Sequence, residues 1–230
     1  MDILPQPDDT TCGPTCLHAV YRYYGDDISL DQVIREVRHL ETGGTLGVYL
    51  AHHALQRGYQ TTIYTYNLQI FDPTWFEYPP QKIQNKLEES LPFCKDPKQG
   101  ETVQAYIDYI KMGGEIRFED LTPMLIRNFL NRNIPILTGL LSTFLYRSPR
   151  EIWVNHEQKF DDIRGEPTGH FVVLAGYDKK VQKVLVADPY KQNPYSSNHK
   201  YEVNIHRLIG AIMLGIITYD ANLLIIYSKS

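Results

Sequence analysis

Four side chains scattered along the chain, Gln6, Cys12, His170 and Asp188, are of the types that thiol acyl-transfer chemistry requires. Cys12 stands between an irregular lead-in, MDILPQPDDTT, and a helical pattern that begins near Gly13. A thiol there faces unpaired backbone N–H groups and the positive end of the helix dipole, both of which favour thiolate over thiol. Gly13 removes a side chain that could crowd an approaching carbonyl. A thiolate nucleophile needs a base, and the base needs something to orient it. His170 opens the run GHFVVLAGYD, which carries its backbone into the core and leaves the imidazole at the strand's end. Asp188 closes VLVADPY, 18 residues further on. Neighbouring strands joined near Asp178-Lys179-Lys180 would set the two side by side, so that the carboxylate accepts the imidazole N–H and fixes the tautomer. Gln6 can add an amide N–H to the backbone N–H of Cys12 for an oxyanion, a contribution of about 3–4 kcal/mol. Taken singly, each has a plainer reading: a structural cysteine, a surface histidine, a turn-initiating Asp before proline, a loop glutamine.

The elements that must position these residues follow from periodicity. Leu17, Val20, Tyr21 and Tyr24 form the apolar stripe of a helix over Gly13–Tyr24, with Pro14 in its first turn and Gly25 at its end. Ser29 and Gln32 form a capping box for a second helix with Val33, Ile34 and Val37 inside. A turn at Gly43-Gly44-Thr45 leads to a third helix through about Gln56, closed by Gly58, and Tyr59–Tyr66 reads as a strand. Residues 67–115, punctuated by Pro73, Pro79, Pro80, Pro92 and Pro97, read as a helical insertion or lid. Thr122-Pro123 starts a helix with Met124, Leu125, Phe129 and Leu130 inward. Strands are expected at Ile134–Leu141, Gly169–Tyr177, Val181–Asp188 and Leu223–Tyr227, with one helix near Ile205–Leu214. The polar segment Ser142–Thr168 walls the cleft by its place in the order. A helical N-terminal half packed on a mostly antiparallel C-terminal sheet is an α+β fold, and 230 residues make a single domain.

Composition removes several function classes. A net charge of −4 gives no reason to expect nucleic acid or an anionic membrane as partner. The longest apolar stretch, Leu208–Tyr219, is well short of the roughly 20 residues of a membrane helix, so it is assigned to the core and no membrane insertion is expected. The first residues lack a basic and then apolar leader, so a cytoplasmic location is expected. Three cysteines are too sparse for a disulfide framework. Cys16, one turn beyond Cys12, suggests a redox pair or metal half-site, but no second His/Cys pair stands at ligand spacing, so neither metal nor cofactor is expected. His52 and His53 point about 100° apart on a helix, one buried and one exposed. Gly43-Gly44 lacks the flanking pattern of a phosphate loop. The tyrosines, 17 in all, are assigned to packing.

The order Gln, helix-starting Cys, distant His resembles papain-like cysteine peptidases. The 158 residues from Cys12 to His170 exceed the papain-type interval of about 130–150. QPDDTTCGPTCL with YRYYG, then GHFVVLAGYD and VLVADPY, are similar to the opening, histidine and aspartate motifs of the bacteriocin-processing, double-glycine-leader cysteine peptidases. That resemblance spans about the first 65 residues and roughly 134–190, with a weaker match at LLIIY. It implies a papain-like fold, Cys12 as nucleophile, His170 as base, Asp188 as its orienter and Gln6 at the oxyanion. Thr11 departs from the acidic residue the family commonly has before its cysteine, and the membrane and ATPase domains of exporter members are not seen. A stand-alone relative acting on peptide-like bonds is therefore expected. Two rivals use the same residues: an acyltransferase or transpeptidase that passes the acyl group to an amine or thiol, and a non-catalytic peptide-binding module. Substrate identity and oligomeric state are not written in the sequence.

Overall fold

The computed structural model describes residues 1–40, 43–154 and 157–229. Helix α1 (Cys12–Tyr23) runs over the expected stretch with Leu17, Val20 and Tyr21 buried, and Gly25 turns the chain after it at φ +78°. The Ser29 hydroxyl caps α2 (Leu30–Glu36) by accepting from the Gln32 backbone N–H. The other half of the capping box does not form, because the Gln32 amide bonds Glu36 one turn on. Helix α3 (Gly47–Gln56) and strand β1 (Gln60–Thr65) follow, with Gly58 at φ +81° between them.

Residues 67–115 are helical: a 3-10 turn at Pro73–Glu77, α4 (Pro80–Ser90) and α5 (Pro97–Lys111), the last capped by the Asp96 carboxylate. Val103, Tyr106, Ile107 and Tyr109 of α5 are buried in the same apolar cluster as α1 and α3. Strand β2 (Glu115–Arg117) leads to α6 (Pro123–Leu130), capped by the Thr122 hydroxyl. Met124 is exposed rather than inward, since the buried stripe of α6 is Ile126, Phe129 and Leu130 at helical spacing.

The remaining elements are β3 (Ile136–Leu141), the short α7 (Ser142–Tyr146), a hairpin of β4 (Glu151–Val154) and β5 (Glu157–Phe160), β6 (Gly169–Asp178), β7 (Lys183–Ala187), β8 (Lys200–Asn204), α8 (Ile205–Leu214) and β9 (Asn222–Tyr227). The main sheet has the order β2-β1-β9-β3-β6-β7-β8, antiparallel except for the β1–β2 pair. Its central strands are apolar on both faces, so both faces must be covered. Leu137, Val173 and Leu224 pack toward α1–α5, whereas Ile136, Val172 and Leu223 pack toward α6 and α8. The N-terminal half therefore supplies one cover together with strands β1 and β2 at one edge of the sheet, and the C-terminal half supplies the other five strands and the other cover. Leu208–Tyr219 is core only in part: Leu208, Ala211 and Ile212 are buried, while Met213, Leu214 and Ile217 face out.

Candidate active site

Cys12 is the first residue of α1, and α1 packs its buried face on β6. A Cβ on Gly13 would lie 2.6 Å from the Thr45 side chain and 3.2 Å from Phe171. Gly13 thus serves the close approach of α1 to its neighbours rather than substrate access. Thr11 gives its hydroxyl to the Asp8 carbonyl, not to a helix N–H, so the first turn of α1 has no side-chain cap.

His170 is the second residue of β6, and Asp188 follows the last residue of β7. Val173 lies opposite Ala187, so the end of β7 runs past the start of β6 and brings the two side chains together. The Asp188 carboxylate accepts from His170 Nε2 at 2.8 Å, which leaves Nδ1 as the ring's other nitrogen, and Cys12 borders the same cavity as the ring. Burial alone would depress the His170 pKa, but the Asp188 charge and hydrogen bond, then Cys12, raise it to about 10. For Asp188, burial acts upward and is outweighed by His170 and by two tyrosine hydroxyls, so its pKa is lowered.

Those tyrosines were not legible as site residues. Tyr146 and Tyr201 each donate a hydroxyl to Asp188 Oδ2 at 2.6 Å, and the Tyr190 backbone N–H donates to Oδ1 at 2.9 Å. The assignment of tyrosines to packing therefore fails for Tyr146 and Tyr201, which solvate a fully buried carboxylate in place of water. Only Tyr190, two residues after Asp188, had a sequence cue.

Gln6 is buried, and its backbone N–H donates to the Pro189 carbonyl at 2.9 Å, tying the lead-in to the loop after Asp188. Its Nε2 donates to the Asp8 carbonyl at 2.8 Å, which leaves the second amide proton available. Gln6 and His170 border one cavity, and Cys12 and His170 border another. The second includes Gly43 and Gly44, both at positive φ, together with Lys98 from the start of α5 and Asp220. Ser142, Glu151, Phe160 and Thr168 wall the first, as the order of the chain suggested; Asn155 and His156 of that segment lie outside the described residues.

Cys16 is buried and donates its thiol to the Phe171 carbonyl at 3.2 Å, and burial pushes that thiol well above its usual range, with Cys12 adding to the effect. It is a packing residue that fixes α1 to β6. Among the described residues no group of three or more His, Cys, Asp and Glu is placed to hold a metal, and no helix is long and apolar enough to cross a membrane. His53 is buried between the Tyr21 hydroxyl and Glu36, while His52 is half-buried, bonding the Ala105 carbonyl rather than standing exposed.

Asp220 also escaped the sequence reading. It is buried and accepts from the Gly47 backbone N–H at 2.8 Å, capping α3 from just before β9. Burial raises its pKa to about 7 against the lowering effects of Gly47, Lys98 and Asn222. Between its unfolded value of 3.8 and about 7 the folded chain holds the extra proton, so this group's contribution falls as pH rises through that window. Asp220→Asn is therefore expected to gain stability over the parent between pH 4 and pH 8, by on the order of 3 kcal/mol. Urea midpoints of the two proteins at both pH values check this; an unchanged difference would show that Asp220 ionises freely.

A family model described as the Peptidase_C39-like family matches residues 1–208. A Bacillus anthracis protein described as a C39-like peptidase has the same fold, with a TM-score of 0.52 at 12% identity over 99% of this chain and 94% of that one. The peptidase domain of Streptococcus ComA, a bi-functional ABC transporter, gives 0.46 at 14% identity over 99% and 98% of the two chains. A double-glycine-motif protease from an AMS/PCAT transporter, solved with its leader peptide, gives 0.47 at 13% identity over 99% and 91%. No curated protein matches the chain in sequence.

Proposed function

The chain belongs to the Peptidase_C39-like family and is by family and fold a papain-like cysteine peptidase; on that premise we propose that it hydrolyses peptide bonds through Cys12, His170 and Asp188, with Gln6 at the oxyanion. The observation that carries this reading is the His170 Nε2–Asp188 hydrogen bond at 2.8 Å, with Cys12 bordering the same cavity as the ring and helping to raise its pKa. Cys12 Sγ attacks the carbonyl carbon, and the negative oxygen is met by the Cys12 backbone N–H and the second Nε2 proton of Gln6. An imidazole whose proton is held as tightly as that of His170 carries it at neutral pH and can deliver it to the leaving amine. The neutral ring then takes a proton from water as water attacks the thioester, and Cys12 is released.

Residues 1–230 act in this reading as one domain. The burial of α5 in the main core supports a fixed wall, with Lys98 at one end of the crevice, over a separable flap for residues 67–115.

The test is to incubate the protein with a peptide mixture, quench in acid and analyse both by mass spectrometry. Cleaved peptides and an acyl adduct on Cys12 are expected, and neither should form with His170→Ala. An adduct that added amines divert quantitatively, with no hydrolysis, would favour acyl transfer. Absence of both adduct and cleavage would favour a peptide-binding module. A cheaper companion measurement is alkylation by iodoacetamide at pH 6, where Cys12 is expected to outpace Cys94 at least tenfold, an advantage lost in His170→Ala.

A further inference from the structure

Asp188 is fully buried, and each oxygen of its carboxylate accepts from two donors. On Oδ1 these are His170 Nε2 at 2.8 Å and the Tyr190 backbone N–H at 2.9 Å. On Oδ2 both are phenols, Tyr146 of α7 and Tyr201 of β8, each at 2.6 Å. This set fills the acceptor capacity of an ionised carboxylate, whereas a protonated one would have to give up an acceptor position to its own proton. Short O–H bonds to a charged oxygen are about twice as strong as neutral ones, so Oδ2 is where the charge is most firmly held.

The kind of donor matters as much as the number. His170 is the ion-pair partner of Asp188, and among the described residues no lysine or arginine pairs with it. A second cation on the carboxylate would compete with the ring and weaken the hold on the proton it carries. A phenol stabilises the charge without cancelling it, so the negative charge still acts in full on His170. Both phenols keep their own protons, because burial first and then Asp188 itself raise them above the usual tyrosine range. The other groups around Asp188 offer no substitute. The Tyr190 hydroxyl turns to Gln192, His199 Nδ1 bonds the Asp188 backbone carbonyl, and Lys200 on β8 is engaged with Asp2. Cys16 from α1 stays a thiol, and Cys12 borders the cavity on which the ring opens.

The phenols are also locked in place. Tyr201 lies opposite Val186 in the β7–β8 pairing, and its ring packs on Tyr195 with centroids 4.9 Å apart. The Tyr195 hydroxyl donates at 2.6 Å to the carbonyl of Leu145, the residue before Tyr146, and Arg207 Nε donates to the same carbonyl at 3.0 Å. One network thus fixes the strand that carries Tyr201 and the short helix that carries Tyr146 against a single oxygen.

We propose that Tyr146 and Tyr201 are positioning residues for the reaction: their hydroxyls, closing on Oδ2, hold Asp188 in its charged form inside the protein and so set the lower pH limit at which His170 works. The inference rests on the hydrolytic reading above and deepens it, since these residues act through Asp188 rather than on the reacting atoms. Removing a donor that favours carboxylate over carboxylic acid raises the pH at which Asp188 takes up a proton, so the acid limb of kcat/KM moves up. The basic limb should not fall, because at high pH the carboxylate that holds the ring's proton is still present.

The experiment compares Tyr146→Phe, Tyr201→Phe and the double variant with the parent. Each single variant is expected to lift the acid limb of kcat/KM by about half a pH unit or more, and the double variant by about one or more. The loss should reach about tenfold below the parent's acid limb in the double variant and close to within about threefold on the plateau. KM should hold, because both rings remain. A readout independent of cleavage is carbon NMR of Cys12→Ala with carboxyl-labelled aspartate, the Asp188 signal being assigned by its loss in Asp188→Asn. That signal should titrate at higher pH in every tyrosine variant. If the double variant fails to fold, the single variants carry the test, since each keeps one phenol on Oδ2. An acid limb and an Asp188 titration that stay in place while kcat falls evenly with pH would leave the hydroxyls a structural role and overturn the proposal. A basic limb moved to lower pH would overturn it too, since the carboxylate would then have let go of the ring. A shifted Asp188 titration in a protein whose parent cleaves no peptide would keep the tyrosines' hold on the charge and defeat hydrolysis instead.

Discussion

Cys12→Ala is expected to leave no measurable peptide hydrolysis, a loss on the order of 10⁵–10⁶-fold in kcat, while the fold survives. The two effects separate because the sulfur does chemistry that no neighbour can replace. Its position, by contrast, is one a methyl group fits. Cys12 is half-buried at the first turn of α1, and the helix is anchored by other contacts: Leu17, Val20 and Tyr21 in the core and the Cys16 thiol on the Phe171 carbonyl. Replacing sulfur by hydrogen removes one polar atom without opening a core cavity, so the cost in stability is expected to stay within about 1 kcal/mol. Denaturant unfolding together with single-turnover assays on a cleaved peptide checks both halves. Residual turnover within a hundredfold of the parent would exclude Cys12 as nucleophile, and Cys94 and Cys16 offer no substitute. Cys94 lines a separate cavity that neither Cys12 nor His170 borders, and Cys16 is buried as a thiol. Cys12→Ser should be nearly as inactive, since a serine hydroxyl opposite a ring that holds its proton this firmly is a poor nucleophile.

The residues whose environment is local were legible in the sequence. Cys12 at a helix start and His170 at the head of an apolar strand follow from periodicity alone, and the turn between β6 and β7 brings Asp188 beside His170 with no further information. What periodicity could not show is how a carboxylate survives full burial. Tyr201 sits on β8, whose KYEVN has charged or polar residues at three of five positions and does not stand out as a strand, and Tyr146 sits on the five-residue α7. Both reach Asp188 only through the pairing of β7 with β8 and the packing of α7 beside β6. Asp220 is a similar case: it caps α3, whose N-terminus is 173 residues away in sequence and lacks a capping residue of its own. The same gap explains Met124. Its sequence window fits more than one helical face, and only the sheet beneath α6 chooses between them. The double-faced sheet was readable in principle, since strands such as ILTGLL and NLLIIY place apolar residues at successive positions, on both faces, rather than alternating them with charged ones.

Asp188 should be the most damaging position after Cys12, and it is the one where catalysis and stability fail together. Asp188→Ala removes the acceptor of the His170 ring and of the Tyr146 and Tyr201 hydroxyls, all inside the protein. Stranding one member of a buried ion pair costs about 3–5 kcal/mol, so this variant is expected to be marginally folded. Asp188→Asn keeps an acceptor for the hydroxyls and is the better probe of chemistry. Without the carboxylate, burial is left to depress the His170 pKa, and the ring no longer carries a proton for the leaving amine at neutral pH. A fall in kcat on the order of 10²–10⁴-fold is expected, with a smaller change in KM and a basic limb of the kcat/KM profile moved to lower pH. Stability gives an independent signature. His170 is raised from 6.5 to about 10 in the folded chain, so its share is fully present below pH 6.5 and is lost as pH rises toward 10. Asp188, whose pKa is lowered, contributes above 3.8 and loses that contribution as pH falls below it. The advantage of the parent over Asp188→Asn should therefore be widest near pH 5–6 and narrow steadily toward pH 10. A gap that stays constant over that range, or a variant impaired only in KM, would mean that the carboxylate holds the loop in place without setting the charge of the ring.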